Sequence, residues 1–223
     1  ADDQRAYEDF CANQEAVEKF TLDKPALVCR WRMSNKKVPM LNRHIRALSE
    51  RLVQGEPLTH NMLSWAKQHV EWSLAEGDYT AHDGVLMLVI DINGNAAMTV
   101  GEYEPLADTS AKALRARSAE ARSEADETGV APELLAAVNN GELAFVAPAD
   151  ECLCGTATLI EQLAQTKGIP VTRVDIPAQL KGALFLVSDE HGVVPATETD
   201  AAEADAATVA FFADGYEKLR ARR

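Results

Sequence analysis

The chain has 223 residues, 47% of them hydrophobic, and a formal net charge of −13. Its length allows a sizeable buried core in one or two domains. The acidic balance argues against a nucleic-acid partner or an anionic membrane surface, because both bind clustered cations. No apolar run approaches the roughly 20 residues needed to span a bilayer, and no signal peptide is visible. Four cysteines in a chain of this size do not indicate a disulfide framework, so we expect a cytoplasmic protein.

The first hundred residues alternate between helical and strand patterns. Leu41, Ile45, Leu48 and Leu52 recur at helical spacing, and Asn93-Gly94 tolerates the positive φ of a hairpin turn. In chain order we predict helix 1–20, strand 25–33, helix 39–54, helix 58–74, strand 85–92 and strand 96–100.

The second half of the chain carries clear start and stop signals. Gly129 ends one predicted helix, and Gly168 followed by Pro170 ends another that starts at Gly155. The acidic stretch 198–205 is predicted to be a solvated linker. The further predicted elements are helix 111–128, strand 171–176, a short helix, strand 183–187, strand 193–195 and helix 206–221. These patterns predict an N-terminal α/β domain, 1–103, and a C-terminal α/β domain, 108–223.

Three segments of the second half, 153–158, 168–171 and 184–196, resemble the C-terminal domain of the class IV aminotransferases, the fold-type IV pyridoxal-phosphate enzymes. In the first half, the strand, turn and helix over 28–48 are similar to the N-terminal signature of the same family. The resemblance covers about residues 26–196. It implies an α/β (α+β) fold of two domains with the active site between them, and a homodimer.

The resemblance also implies a site and a reaction. Lys112, in a segment with the family's spacing up to Gly129, would hold pyridoxal phosphate as a Schiff base in an aminotransferase or an aminodeoxychorismate lyase. Arg32 would face the substrate carboxylate or the phosphate, and the substrate would be a small amino acid or amino-carboxylate. The phosphate would be held by the backbone of Gly155, Thr156 and Ala157 together with Ser188, because the N–H groups and dipole of a helix N-terminus attract anions. The residues themselves favour the alternative that Lys112 is a solvated lysine near a helix start.

Some polar positions depart from the family pattern. Asp189 stands where the family has a threonine, and a carboxylate there would repel a dianionic phosphate. Ala47 replaces an arginine, and Arg46 lies about 100° around the helix from that position. The chain between Asn140 and Cys152 is about 20 residues shorter than the pattern that carries the glutamate on the cofactor's ring nitrogen. These departures favour an alternative: a non-catalytic relative that has lost the cofactor and serves as a small-molecule or protein-binding module.

The cysteines suggest one further possibility. Cys152 and Cys154 with His191 do not have the usual spacing or number of zinc ligands, so we expect no metal. Cys154 beside Gly155 would be a reactive thiol if the helix N-terminus lowered its pKa.

Overall fold

A computed structural model describes residues 22–76, 83–129, 131–198 and 200–222 of the chain. The predicted helix 1–20 lies outside the described residues. The elements in chain order are strand β1 (Pro25–Ser34), helix α1 (Leu41–Ser49), strands β2 (Leu52–Val53) and β3 (Glu56–Pro57), helix α2 (His60–Glu76), strands β4 (Asp83–Asp91) and β5 (Ala96–Glu102), helix α3 (Ala111–Thr128), strands β6 (Leu134–Asn139) and β7 (Glu142–Val146), helix α4 (Gly155–Thr166), strands β8 (Val171–Val174), β9 (Ala183–Ser188) and β10 (Gly192–Pro195), and helix α5 (Glu203–Arg220). A single 3-10 turn, Pro177–Gln179, stands at the predicted short helix.

Strand β1 is the edge of an antiparallel sheet of order β1-β4-β5. Successive side chains of a strand point to opposite faces. Leu27, Trp31 and Met33 accordingly join an apolar core with residues of β4, α1 and α2. Arg30 and Arg32 occupy the alternate positions of β1, so their side chains point to the face of the sheet opposite this core.

The larger sheet has the order β10-β9-β6-β7-β8, in which only the pair β7–β8 is parallel. Phe145 and Phe185 pack with Phe212 of α5 in a core that also contains α4. The other face packs against Leu114 of α3. Helix α3 also contacts β1, so it lies between the two sheets.

Two tight turns change the predicted pattern. Gln54 and Gly55 both have positive φ and join β2 to β3, so Leu52 is 56% exposed and does not extend the apolar stripe of α1 as predicted. Asn140-Gly141 joins β6 to β7 with φ values of 51° and 76°, the geometry of a two-residue hairpin loop. Strands β6 and β7 were not predicted, although β6 lies at the centre of the larger sheet.

The predicted linker 198–205 is wrong in its last residues, because α5 begins at Glu203. Asp205 is 4% exposed and accepts hydrogen bonds from the backbone N–H groups of Asn140 and Gly141 at 2.9 and 3.0 Å. This carboxylate therefore ties α5 to the β6–β7 turn. Among the described residues, no helix is long and apolar enough to cross a membrane. The division into domains 1–103 and 108–223 stays a prediction.

Candidate functional site

A small cavity of about 60 Å³ lies between β1 and the end of β9. The C-terminal half of α3, the segment 131–133 and the residue before α4 complete its wall. Its polar lining residues are Arg30, Glu124, Glu133, Ser188, Asp189 and Glu190. The cavity therefore adjoins the N-terminal turn of α4, where the sequence predicts a phosphate site.

That turn already has an anionic partner within the chain. The carboxylate oxygen Oδ1 of Asp189 accepts hydrogen bonds from the backbone N–H of Thr156 at 2.9 Å and from its hydroxyl at 2.8 Å. Cys154, the residue that caps α4, makes no side-chain capping bond. Asp189 thus supplies the negative charge that the positive end of a helix dipole favours.

His44 lies on the other side of the same carboxylate. Its Nδ1 is 3.6 Å from Oδ1 of Asp189, and its side chain is 1% exposed. The ring stacks on Trp31, with 5.3 Å between centroids and an interplanar angle of 9°. Burial lowers the pKa of His44 although the charge of Asp189 opposes that shift, so the ring is neutral at pH 7.

Ser188 is fully buried at the end of β9. Its hydroxyl oxygen accepts hydrogen bonds from the backbone N–H groups of Glu190 and His191 at 3.2 and 3.1 Å. The side chain therefore stabilises the turn that presents Asp189. The predicted phosphate ligands Gly155, Thr156, Ala157 and Ser188 are thus close together, and Asp189 lies among them.

Arg32 contacts this region through its backbone, whose N–H donates to the carbonyl of Asp189 at 3.1 Å. Its guanidinium points elsewhere, with Cζ 3.3 Å from the ring centroid of Tyr103 and Nη2 3.4 Å from the carboxylate of Asp83. The Tyr103 hydroxyl is in turn hydrogen-bonded to Nδ1 of His191 at 3.1 Å. The arginine that lines the cavity is Arg30.

An ion-pair cluster, defined here as Arg117, Glu133, Glu190 and His191, borders the cavity. Arg117 lies 2.8 Å from the carboxylate of Glu133 and 3.7 Å from that of Glu190. Nε2 of His191 is also 3.7 Å from Glu190, and burial is the main cause that lowers the pKa of His191. Sequence reasoning did not identify this cluster, because its members come from α3, the β6 approach and the β9–β10 turn.

Lys112 is separate from the cavity. It is exposed in the first turn of α3, a helix capped by the hydroxyl of Ser110. The part of α3 that lines the cavity starts nine residues later at Ala121, about 14 Å along a helix axis. No lysine is among the described residues that line the cavity.

The shortened stretch between Asn140 and Cys152 has a simple structural form. The β6–β7 hairpin leads through residues 147–154 directly into α4, and Glu142 is exposed beside the hairpin turn.

Cys154 is buried on the cavity wall rather than reactive. It is 4% exposed, and burial and then the nearby charge of Asp189 raise its pKa well above the usual thiol value. The described residues contain no group of three or more His, Cys, Asp or Glu side chains with the geometry of a metal site.

No family model and no curated protein matches the chain, whereas solved structures match it well. A hypothetical aminotransferase from Mycobacterium tuberculosis has a TM-score of 0.61 and 13% identity over 94% of this chain and 92% of its own. The fold IV transaminase CpuTA1 from Curtobacterium pusillum has a TM-score of 0.59 and 15% identity, with 88% and 86% covered. A candidate 4-amino-4-deoxychorismate lyase from Legionella pneumophila has a TM-score of 0.58 and 12% identity, with 91% and 97% covered.

The M. tuberculosis protein has also been solved in a form bound to pyridoxal phosphate, with a TM-score of 0.56 to this chain. Structural similarity at identities this low establishes the fold only. The chemistry of this chain has to be argued from its own residues. The resemblance found in the sequence is confirmed at that level: the chain has the α/β (α+β) fold of the class IV aminotransferases and aminodeoxychorismate lyases, fold-type IV.

Proposed function

We propose that this chain is a class IV aminotransferase-like or aminodeoxychorismate-lyase-like protein that binds a small amino acid or amino-carboxylate between its two larger sheets. The observation that carries the proposal is the cavity beside β1, because it holds a guanidinium and several carboxylates in a fold whose neighbours act on such compounds. Arg30 would pair with the ligand's carboxylate, since a guanidinium fork matches carboxylate geometry. Glu133 and Glu190, which also line the cavity, would attract its amino group.

The fit of pyridoxal phosphate to these residues is poor in the observed arrangement. Its phosphate would need the backbone N–H of Thr156, which Asp189 already uses. A phosphate dianion at that distance from a carboxylate would be repelled and costly to desolvate. Lys112 would also have to approach the cavity before it could hold the cofactor. We therefore derive no step through this cofactor.

The hydrogen bonds between Asp189 and Thr156 favour a second candidate, the non-catalytic relative that keeps the fold and binds a small molecule or protein without the cofactor. Both candidates share the cavity and differ in whether Lys112 reacts. We further propose a cytoplasmic homodimer, and light scattering after gel filtration measures the oligomeric state.

An absorbance spectrum after incubation with pyridoxal phosphate, before and after borohydride, separates the two candidates. For a cofactor-dependent enzyme, borohydride fixes the visible band on the peptide that contains Lys112. Lys112→Ala then removes the band, and Lys181→Ala, a change at another exposed lysine, retains it. If the protein is colourless and releases all cofactor on desalting, the cofactor-dependent enzyme is excluded. The non-catalytic binding module is then the remaining candidate.

Ligand binding is tested separately by calorimetric titration with small amino acids and aromatic amino-carboxylates. Arg30→Gln should weaken binding about tenfold or more, because it removes a charge-assisted hydrogen bond. Arg46→Gln is the matched control, since Arg46 is exposed on α1. Absence of binding to the wild-type chain, or equal binding by Arg30→Gln, contradicts the proposed ligand class.

A further inference from the structure

Asp189 makes the contacts that an external oxyanion would make at the start of α4. One carboxylate oxygen accepts both from the backbone N–H and from the hydroxyl of Thr156, at 2.9 and 2.8 Å. A bound phosphate at a helix N-terminus uses donors of these two kinds. The side chain of Asp189 is 18% exposed, so it is mostly withdrawn from solvent into this position.

His44 supplies a second, independent observation at this place, because a buried polar atom of its ring is directed into it. Its side chain is 1% exposed, and Nδ1 has no hydrogen-bond partner among the described residues. That nitrogen is directed at Oδ1 of Asp189 from 3.6 Å, slightly beyond hydrogen-bond distance. A buried polar atom without a hydrogen-bond partner lowers the stability of the fold. The orientation of Nδ1 toward the carboxylate therefore indicates a function of this place that offsets the cost.

We infer that Asp189 is an intramolecular substitute for a phosphate group at the N-terminal turn of α4, and that it excludes phosphorylated ligands from the adjoining cavity. Two effects produce the exclusion. The carboxylate occupies the donors of Thr156, and its charge repels any phosphate that approaches them. One consequence rests on the proposed function: the amino acid or amino-carboxylate that binds in the cavity carries no phosphate group.

The test compares the binding of inorganic phosphate by the wild-type chain and by Asp189→Ser. Serine is too short to reach the donors of Thr156, and it removes the charge. In calorimetric titration at fixed ionic strength, we expect no measurable phosphate binding by the wild-type chain. We expect saturable binding by Asp189→Ser, with a dissociation constant at least about tenfold below the lower limit that the titration sets for the wild type. The matched control is Asp214→Ser, which makes the same change of charge at an exposed position of α5. It should bind like the wild type.

Asp189→Asn separates occupation of the donors from repulsion. Its amide oxygen can still accept from Thr156 without carrying a charge, so we expect tighter phosphate binding than in the wild type and weaker binding than in Asp189→Ser. If Asp189→Asn and Asp189→Ser both bind no better than the wild type, the inference is wrong. It is also wrong if Asp214→Ser gains as much as Asp189→Ser, or if the wild-type chain binds phosphate tightly.

Marginal folding of a variant does not prevent the measurement. A ligand that binds only the folded state raises the melting temperature, so phosphate should stabilise Asp189→Ser and leave the wild type and Asp214→Ser unchanged. These readouts use phosphate and need no substrate. Failure of the proposed function appears instead as absent amino-carboxylate binding, while the phosphate result stands independently.

Discussion

The ring of His44 lies directly against the backbone of Gly155. A Cβ atom added at Gly155 would stand 2.5 Å from Nδ1 of His44 and 3.3 Å from its Cα. Because His44 is held by stacking on Trp31, the ring has little room to withdraw. The first residue of α4 is therefore glycine for reasons of space.

We predict that Gly155→Ala lowers the free energy of unfolding by about 2–3 kcal/mol, the cost of overpacking a tight contact. Urea denaturation measures it. The control is Gly101→Ala in β5, where an added Cβ meets nothing within 4 Å and no positive φ is involved. Equal stability of the two variants would show that His44 can move away from α4.

Stability should fall as the pH is lowered through the range in which histidine titrates. Burial lowers the pKa of His44 in the folded chain, against the opposing charge of Asp189, and lowers that of His191 similarly. Below about pH 6.5 the unfolded chain therefore binds more protons than the folded chain, and the free energy of unfolding decreases as the pH falls. Above that pH this contribution is fully present.

Denaturation curves between pH 7.5 and 5.5 measure this dependence. His44→Gln should make it shallower, whereas His60→Gln should not, because His60 is exposed at the start of α2. An unchanged slope in His44→Gln would mean that His44 is charged or accessible in the folded chain.

The carboxylate of Asp205 should stabilise the β6–β7 turn from a distance. It accepts from the backbone N–H groups of Asn140 and Gly141, and Asp205→Ala leaves both without a partner. We expect a loss of about 2–4 kcal/mol in the free energy of unfolding. Asp214→Ala is the control at an exposed position of the same helix. If Asp205→Ala loses no more stability than this control, the hydrogen bonds of Asp205 to the turn contribute little to the free energy of unfolding.

Thiol labelling should discriminate the cysteines of the structure. Burial raises the pKa of Cys29 to about 12 and that of Cys154 well above its usual value, so thiolate is scarce at both sites at pH 8. In a Cys11→Ser background, iodoacetamide should modify the partly exposed Cys152 at least about tenfold faster than either, as measured by peptide mass spectrometry. Rapid modification of Cys154 in the folded chain would restore the reactive-thiol interpretation.

The predictions from sequence succeeded where the signals are local. Helix α3 has the bounds predicted, because Ser110 caps its start and Gly129 takes the left-handed conformation at its end. Helix α4 begins at Gly155 and ends before Gly168, which has a φ of 70°. Such start and stop residues act through their own backbone, and no distant contact is needed to recognise them.

The strands that were missed depend on partners far along the chain. Strand β6 is paired with β9, about fifty residues later, and its apolar run carries no period that separates a strand from a helix. The Asn140-Gly141 turn was the available signal. Asn93-Gly94, which was recognised, belongs to a longer connection in which the carboxylate of Asp91 accepts from the N–H groups of Asn93 and Asn95.

For the candidate site, too, the sequence predicted local features and missed contacts between residues far apart in the chain. The sequence indicated that Asp189 would conflict with a phosphate, but its hydrogen bond to Thr156 joins residues 33 positions apart. His44 lies in the segment 28–48 that is similar to the family's N-terminal signature, but the sequence did not indicate that its ring would lie beside that carboxylate. The roles assigned to Lys112, Arg32 and the predicted phosphate ligands stay proposals.

The alternation along β1 links the apolar core to the chemistry of the cavity. Trp31 and Met33 point into the core, while Arg30 and Arg32 point to the opposite face. A slip of one residue in the pairing with β4 would bury both guanidiniums among leucines and place the indole in the cavity. The hydrophobic burial that stabilises the sheet thus also determines which side chains of β1 face the cavity, so any change that keeps this register keeps Arg30 in the cavity wall.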